Sequence, residues 1–125
     1  MDTTQTINIL QEAEKLKENF SPKIVSEVNN EYVKIAKING QDIPWHNHEN
    51  EDDLFYIIDG NLLMELEDQP SFTMKKGDLF VVPKDINHRV SSSIDCLIML
   101  IETKSTKHTG KVITPITKSI ENQRH

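Results

Sequence analysis

Residues 40–60 read Gly40-Gln41-Asp42-Ile43-Pro44-Trp45-His46-Asn47-His48-Glu49-Asn50-Glu51-Asp52-Asp53-Leu54-Phe55-Tyr56-Ile57-Ile58-Asp59-Gly60, and how they are read decides the rest. His46 and His48 are two residues apart. On an extended segment that spacing puts both imidazoles on one face, close enough to share an ion. Asp53 comes five residues after His48 and His88 forty residues after His48, just beyond Pro83. Two or three imidazoles with one carboxylate form a donor set that first-row transition metals take. Neutral imidazole suits zinc, copper, iron and nickel, and two histidines with one carboxylate leave positions open for substrate and oxygen. His-x-His alone is common in surface loops; Gly40, Gly60 and the distant His88 are what lift this one above that background.

Outward from this stretch the chain is a series of short β-prone runs between turn signals. They fall at 23–28, 32–38, 53–58, 62–67, 71–74, 79–82, 88–92, 95–102 and 112–116. Many short strands at this spacing imply a sandwich or barrel. Asp59-Gly60 between alternating runs is a hairpin signal. As a two-residue turn it pairs Ile58 with Asn61, Phe55 with Met64 and Asp53 with Leu66. Asp53, Phe55, Ile57, Leu62, Met64 and Leu66 then share one face; a three-residue turn would flip the second strand. Residues 8–20 are expected to be helical, with Ile9, Ala13, Leu16 and Phe20 at i, i+4, i+7 and i+11. Asn8 and Gln11 resemble a capping box, and Ser21-Pro22 ends the helix. The expected organisation is a helix and arm over 1–22, with residues 1–7 frayed, a β-barrel over 23–117 and a tail over 118–125.

The 125 residues suffice for one domain with a real core. The net charge of −6 argues against nucleic acid and anionic membrane surfaces as partners. The longest apolar run, residues 96–101, is too short to span a bilayer. Met1-Asp2-Thr3-Thr4-Gln5 has neither a basic nor an apolar signal region, and one cysteine makes no intramolecular disulfide, so a cytoplasmic protein is expected. Cys96 is expected to be a buried structural cysteine. Glu49, Glu51 and Asp52 read as a solvated loop. Either Glu51 or Asp52 could be the ligating carboxylate instead, but only Asp53 keeps both gaps, to His48 and to Gly60. Phe55, Leu62 and Met64 should point inward, with Phe55 and Met64 as candidate substrate-binding residues. Trp45, Tyr56 and Arg89 should point away from the histidines. His108 and His125 carry no functional signal.

The pattern Gly40-x5-His46-x-His48-x4-Asp53-x6-Gly60 resembles the first cupin motif. Gly77-x5-Pro83-x-Asp85-x2-His88-x3-Ser92 resembles the second, with sixteen residues between Gly60 and Gly77. The resemblance implies an all-β, single-domain cupin jelly roll with one N-terminal helix. It implies one divalent transition metal ion (zinc, iron, manganese or nickel) held by three histidines, matched here by His46, His48 and His88, and by a glutamate. Asp53 stands in the glutamate's place and is one methylene shorter. Asp85 replaces a glycine, a change aspartate tolerates in a left-handed turn. Ser92 replaces an asparagine. Small stand-alone cupins of this kind imply a metal-dependent enzyme acting on a small oxygenated molecule, of isomerase or dioxygenase type. The alternative is a non-catalytic ligand-binding or sensing module. A homodimer is expected, because pairing closes exposed sheet edges. A sugar-phosphate substrate is disfavoured, since the inward positions read above, Asp53, Phe55, Ile57, Leu62, Met64 and Leu66, supply no basic group.

Overall fold

Apolar and polar side chains alternate along most of the chain, and the runs form strands. The computed structural model describes residues 5–104 and 122–124. Its strands are β1 (Lys23–Val28), β2 (Glu31–Gly40), β3 (Asp53–Asp59), β4 (Asn61–Leu66), β5 (Phe72–Lys75), β6 (Leu79–Val82) and β7 (His88–Thr103). The larger sheet runs in the order β1-β2-β7-β3-β6. The smaller sheet is β5-β4-β7, and every strand pairing is antiparallel. The fold is an all-β jelly-roll barrel.

The strand β7 serves both sheets. Its residues 88–91 pair with β4, while residues 96–103 pair with β2 and residues 97–101 with β3. The runs 88–92 and 95–102 are therefore one strand, and its register against β2 jumps between Cys96 and Ser92. Ile57, Leu62, Met64 and Ile98 fill the space between the sheets. A second cluster, Ala13, Val25, Ile35 and Ile58, lies on the outer face of the larger sheet. This is why neighbours such as Ile57 and Ile58 are both buried.

The expected hairpin does not form. β3 lies between β7 and β6, β4 lies between β5 and β7, and the two never pair. Their inward residues face one another across the core instead. All six residues assigned to a common face are buried, so the inward face was read correctly while the pairing was not. Gly60, at φ +88°, turns the chain from one sheet to the other. A Cβ there would stand 2.6 Å from the Asp95 carbonyl oxygen, so β7 backbone fills the space beside the turn.

The helix is also shorter than its periodicity suggests. It is α1 (Ile9–Glu14), and the Asn8 side chain accepts a hydrogen bond from the Gln11 N–H at 2.9 Å, as the capping signal implied. Leu16 N–H then donates to the Ala13 carbonyl, an i→i+3 bond that tightens and ends the turn. Phe20 has φ +55° and donates its N–H to the Lys37 carbonyl at 2.8 Å. Its ring enters the core between the sheets rather than continuing the helix face. Among the described residues no helix is long and apolar enough to cross a membrane. The expected strand at 112–116, His108, His125, residues 1–4 and most of the 118–125 tail lie outside the described residues.

Gly60→Ala and Gly40→Ala separate two effects. Both glycines have positive φ, but only Gly60 meets backbone. Gly40→Ala should lose about 1–2 kcal/mol for the left-handed conformation, and Gly60→Ala distinctly more, in urea unfolding. Equal losses would contradict the packed turn.

Candidate metal centre

The loop between β2 and β3 folds back onto the start of β7. His46 N–H donates to the His88 carbonyl at 3.1 Å, and His88 N–H returns the bond to His46 at 2.9 Å. This is a short antiparallel pair. Asp85, at φ +63°, donates its N–H to the His48 carbonyl at 2.8 Å, so the left-handed turn expected of it is used to hold the loop. The Asn47 amide donates to Asn87 Oδ1 at 2.9 Å. Exposed Asp52 accepts from the Lys84 N–H at 2.9 Å. Its carboxylate thus fixes the loop outside, while Asp53 is buried.

These contacts bring three imidazoles together. Ring centroids are 4.3 Å apart for His46 and His88, 5.3 Å for His46 and His48, and 5.8 Å for His48 and His88. One nitrogen from each lies within 4.8 Å of the other two. His46 Nδ1 and His88 Nδ1 each lie 3.0 Å from a backbone carbonyl oxygen, of Pro44 and Ile86. A carbonyl only accepts, so each Nδ1 carries the hydrogen and each Nε2 presents a lone pair. Burial pushes the His88 imidazole down to about 3, with His46 adding to the effect. Burial also lowers His46 and His48, against the carbonyl of Pro44 and the charge of Glu102 respectively. The cluster is therefore neutral at physiological pH, the form in which imidazole binds metal.

Buried polar atoms ordinarily have a partner. Here His48 Nε2, His88 Nε2, Asp53 Oδ1 and Glu102 Oε1 are buried with no hydrogen bond. The donor chemistry and the unmatched atoms together fit a divalent cation.

Glu102 and Lys34 are the polar residues that sequence reasoning missed. Glu102 lies on β7 beside Asp53, one step from the Leu54–Ile101 pair. Lys34 Nζ is 3.1 Å from Glu102 Oε1, and both side chains are essentially inaccessible to solvent. The pair is within ion-pair distance but off the direction of a hydrogen bond. His48, Asp53 and Glu102 form a second triad of mutually close donor atoms, with Asp53 Oδ2 3.5 Å from His48 Nε2. Burial, then the neighbouring Glu102, hold the Asp53 carboxyl well above the usual carboxylate range. A signal was available. The alternation Cys96, Ile98, Leu100 continues to Glu102, and Lys34 precedes Ala36 and Ile38 on the inward side of β2.

A cavity of about 30 Å³ adjoins the cluster. His46, Asp53 and Glu102 supply its polar wall, and Phe20, Ile43, Phe55 and Val90 are among its apolar lining. Phe55 thus faces it, whereas Met64 is fully buried in the core and is not among the lining residues. No Lys or Arg lines it among the described residues. Arg89 points away from the histidines, bonded to Glu65 at 2.9 Å with its guanidinium 4.8 Å over the exposed Trp45 ring. Tyr56 packs in the outer cluster. Cys96 is fully buried, and burial pushes its thiol up to about 12.

A profile of the cupin domain matches residues 36–101. An uncharacterised protein of Bacillus subtilis, YdbB, is 31% identical over 100 residues, covering 80% of this chain and 88% of its own. A cupin-2 domain-containing protein from Shewanella frigidimarina superposes with a TM-score of 0.76 at 30% identity, covering 81% of this chain and 97% of its own. Protein NMB1881 from Neisseria meningitidis gives 0.71 at 30% identity, covering 80% and 100%.

The histidine cluster sets a pH dependence for the metal-free protein. Below pH ~6.5 the unfolded chain takes up protons on these histidines, while in the folded chain all three are lowered and His88 resists until about pH 3. Stability therefore falls as pH drops through that window, and His88 alone should remove roughly 2 kcal/mol by pH 5. Asp53, whose carboxyl is pushed up by burial in the fold, acts in the opposite sense. The readout is thus the difference between wild type and His88→Asn in urea unfolding at pH 7.5 and pH 5, with the variant less acid-sensitive. Identical pH profiles would contradict the buried neutral His88.

Proposed function

The chain belongs to the cupin family, and from that premise we propose that it is a metal-dependent enzyme acting on a small oxygenated molecule, of isomerase or dioxygenase type. The observation that carries this reading is the set of unmatched buried donors, His48 Nε2, His88 Nε2 and Asp53 Oδ1, at a cluster of neutral imidazoles. His46, His48, His88 and Asp53 would hold one divalent ion: zinc, iron, manganese or nickel. Such an ion polarises a carbonyl or lowers the pKa of a bound hydroxyl.

The chain's own residues prepare the site. The carbonyls of Pro44 and Ile86 fix the tautomers of His46 and His88. Phe55 packs edge-on to His88 at 6.3 Å between ring centroids and, with Phe20 and Ile43, keeps the cavity apolar. Asp53 would ligate as the carboxylate, the form that binds metal, and its raised proton affinity makes that binding favour higher pH. The small cavity and the lack of a basic lining residue favour a compact carbonyl or hydroxyl compound over a phosphate ester. The reading includes a homodimer: β6 ends the larger sheet with Leu79 and Val81 exposed, an edge a second copy can cover.

Elemental analysis before and after chelation tests the proposal. Wild type should carry about one ion per chain, with a melting temperature that falls on chelation. His48→Ala should lose most of the metal and most of the chelator-sensitive part of the melting temperature. Unchanged metal content in His48→Ala refutes the assignment. Iron in the wild type directs the substrate search to oxygen uptake, zinc or manganese to isomerisation.

A further inference from the structure

We propose that Glu102 is a metal ligand of this centre, supplying the reach that Asp53 lacks. The inference rests on reading the histidine cluster as a metal site, and it adds a residue that lies in neither cupin motif.

Three observations support it. First, Asp53 and Glu102 stand side by side on neighbouring strands, on one face, next to the Leu54–Ile101 pair. The shorter side chain at 53 is thus flanked by one a methylene longer. Second, donor atoms of His48, Asp53 and Glu102 lie within 4.8 Å of one another, as do those of His46, His48 and His88. Donors bound to one ion at about 2.0–2.2 Å stand at most about 4.4 Å apart. His48 belongs to both triads, so small side-chain rotations bring Glu102 to the ion that the histidines hold. Third, Glu102 Oε1 is buried and makes no hydrogen bond, and Glu102 lines the cavity together with His46 and Asp53.

The competing account makes Glu102 a counter-ion for Lys34 and nothing more. The two lie 3.1 Å apart, yet Lys34 Nζ also lacks a hydrogen bond. A buried ion pair is weak evidence of a stabilising role, because desolvation offsets the attraction. With Asp53 beside it, Lys34 faces two carboxyl groups rather than one. Under the proposal Lys34 offsets part of the charge the two carboxylates bring together, and Glu102 exchanges its side-chain contact with the Asp53 carboxyl for the ion.

The test is zinc affinity of the full-length chain, measured by competition with a chromophoric chelator, beside melting of the metal-free protein. Glu102→Gln should weaken zinc binding by at least about tenfold, the smallest loss usual for residues that support a metal site. Adding Asp53→Glu to Glu102→Gln should restore it, because the longer carboxylate then reaches from strand β3. Lys34→Met with Glu102→Gln removes the stranded lysine charge; it should recover the melting temperature of the metal-free protein but not the affinity. Recovery of both would make Glu102 a counter-ion and overturn the proposal. So would Glu102→Gln binding zinc as tightly as wild type. A wild type that takes up no zinc sinks the site reading itself, an outcome distinct from either.

Discussion

The membership of β7 in both sheets is the constraint on which the rest of the structure depends. The strand leaves the site at His88, pairs with β4, changes register between Ser92 and Cys96, and returns between β2 and β3 to Glu102. Fully extended, the fourteen steps from His88 to Glu102 would span about 46 Å. Their donor atoms instead both lie close to His48. The bend in β7 packs Asp95 against Gly60 and brings both ends of the strand to the same side of the barrel. The loop carrying His46 and His48 is then seated by the reciprocal His46–His88 bonds and by the Asp85 N–H on the His48 carbonyl.

That geometry creates an electrostatic problem inside an apolar barrel. Three imidazoles, two carboxyl groups and one ammonium are buried with few hydrogen bonds between them. Desolvation lowers the proton affinity of the three histidines and raises that of Asp53. Ligands prepared in this way are costly without an ion and well matched to one. A divalent cation bound there would satisfy the unmatched atoms and add to folded-state stability.

Much of this was legible in the sequence. The Gly-His-His-Asp and Gly-Pro-His spacings pointed to the fold, and period-two alternation identified the inward residues of β3 and β4. Two local signals misled. Asp59-Gly60 looks the same whether a chain reverses within one sheet or crosses to another; the difference lies in β7, far along the sequence, which pairs with β3 in one sheet and with β4 in the other. Phe20 fits the helical period of Ile9, Ala13 and Leu16 by coincidence, and its positive φ sends the ring into a different cluster. Lys34 and Glu102 went unread because charged residues in β-prone runs are ordinarily assigned to the solvent face. Extending the alternation by one residue past Leu100 would have placed Glu102 inside.

The central claim is that a divalent ion belongs among the three imidazoles. The most direct measurement is an anomalous difference map from crystals grown with a divalent transition metal. The account predicts one strong peak per chain, about 2.0–2.3 Å from Nε2 of His46, His48 and His88 and adjoining the carboxylate side formed by Asp53 and Glu102. A map with no peak at that point, or with the ion bound only at the surface, would contradict it.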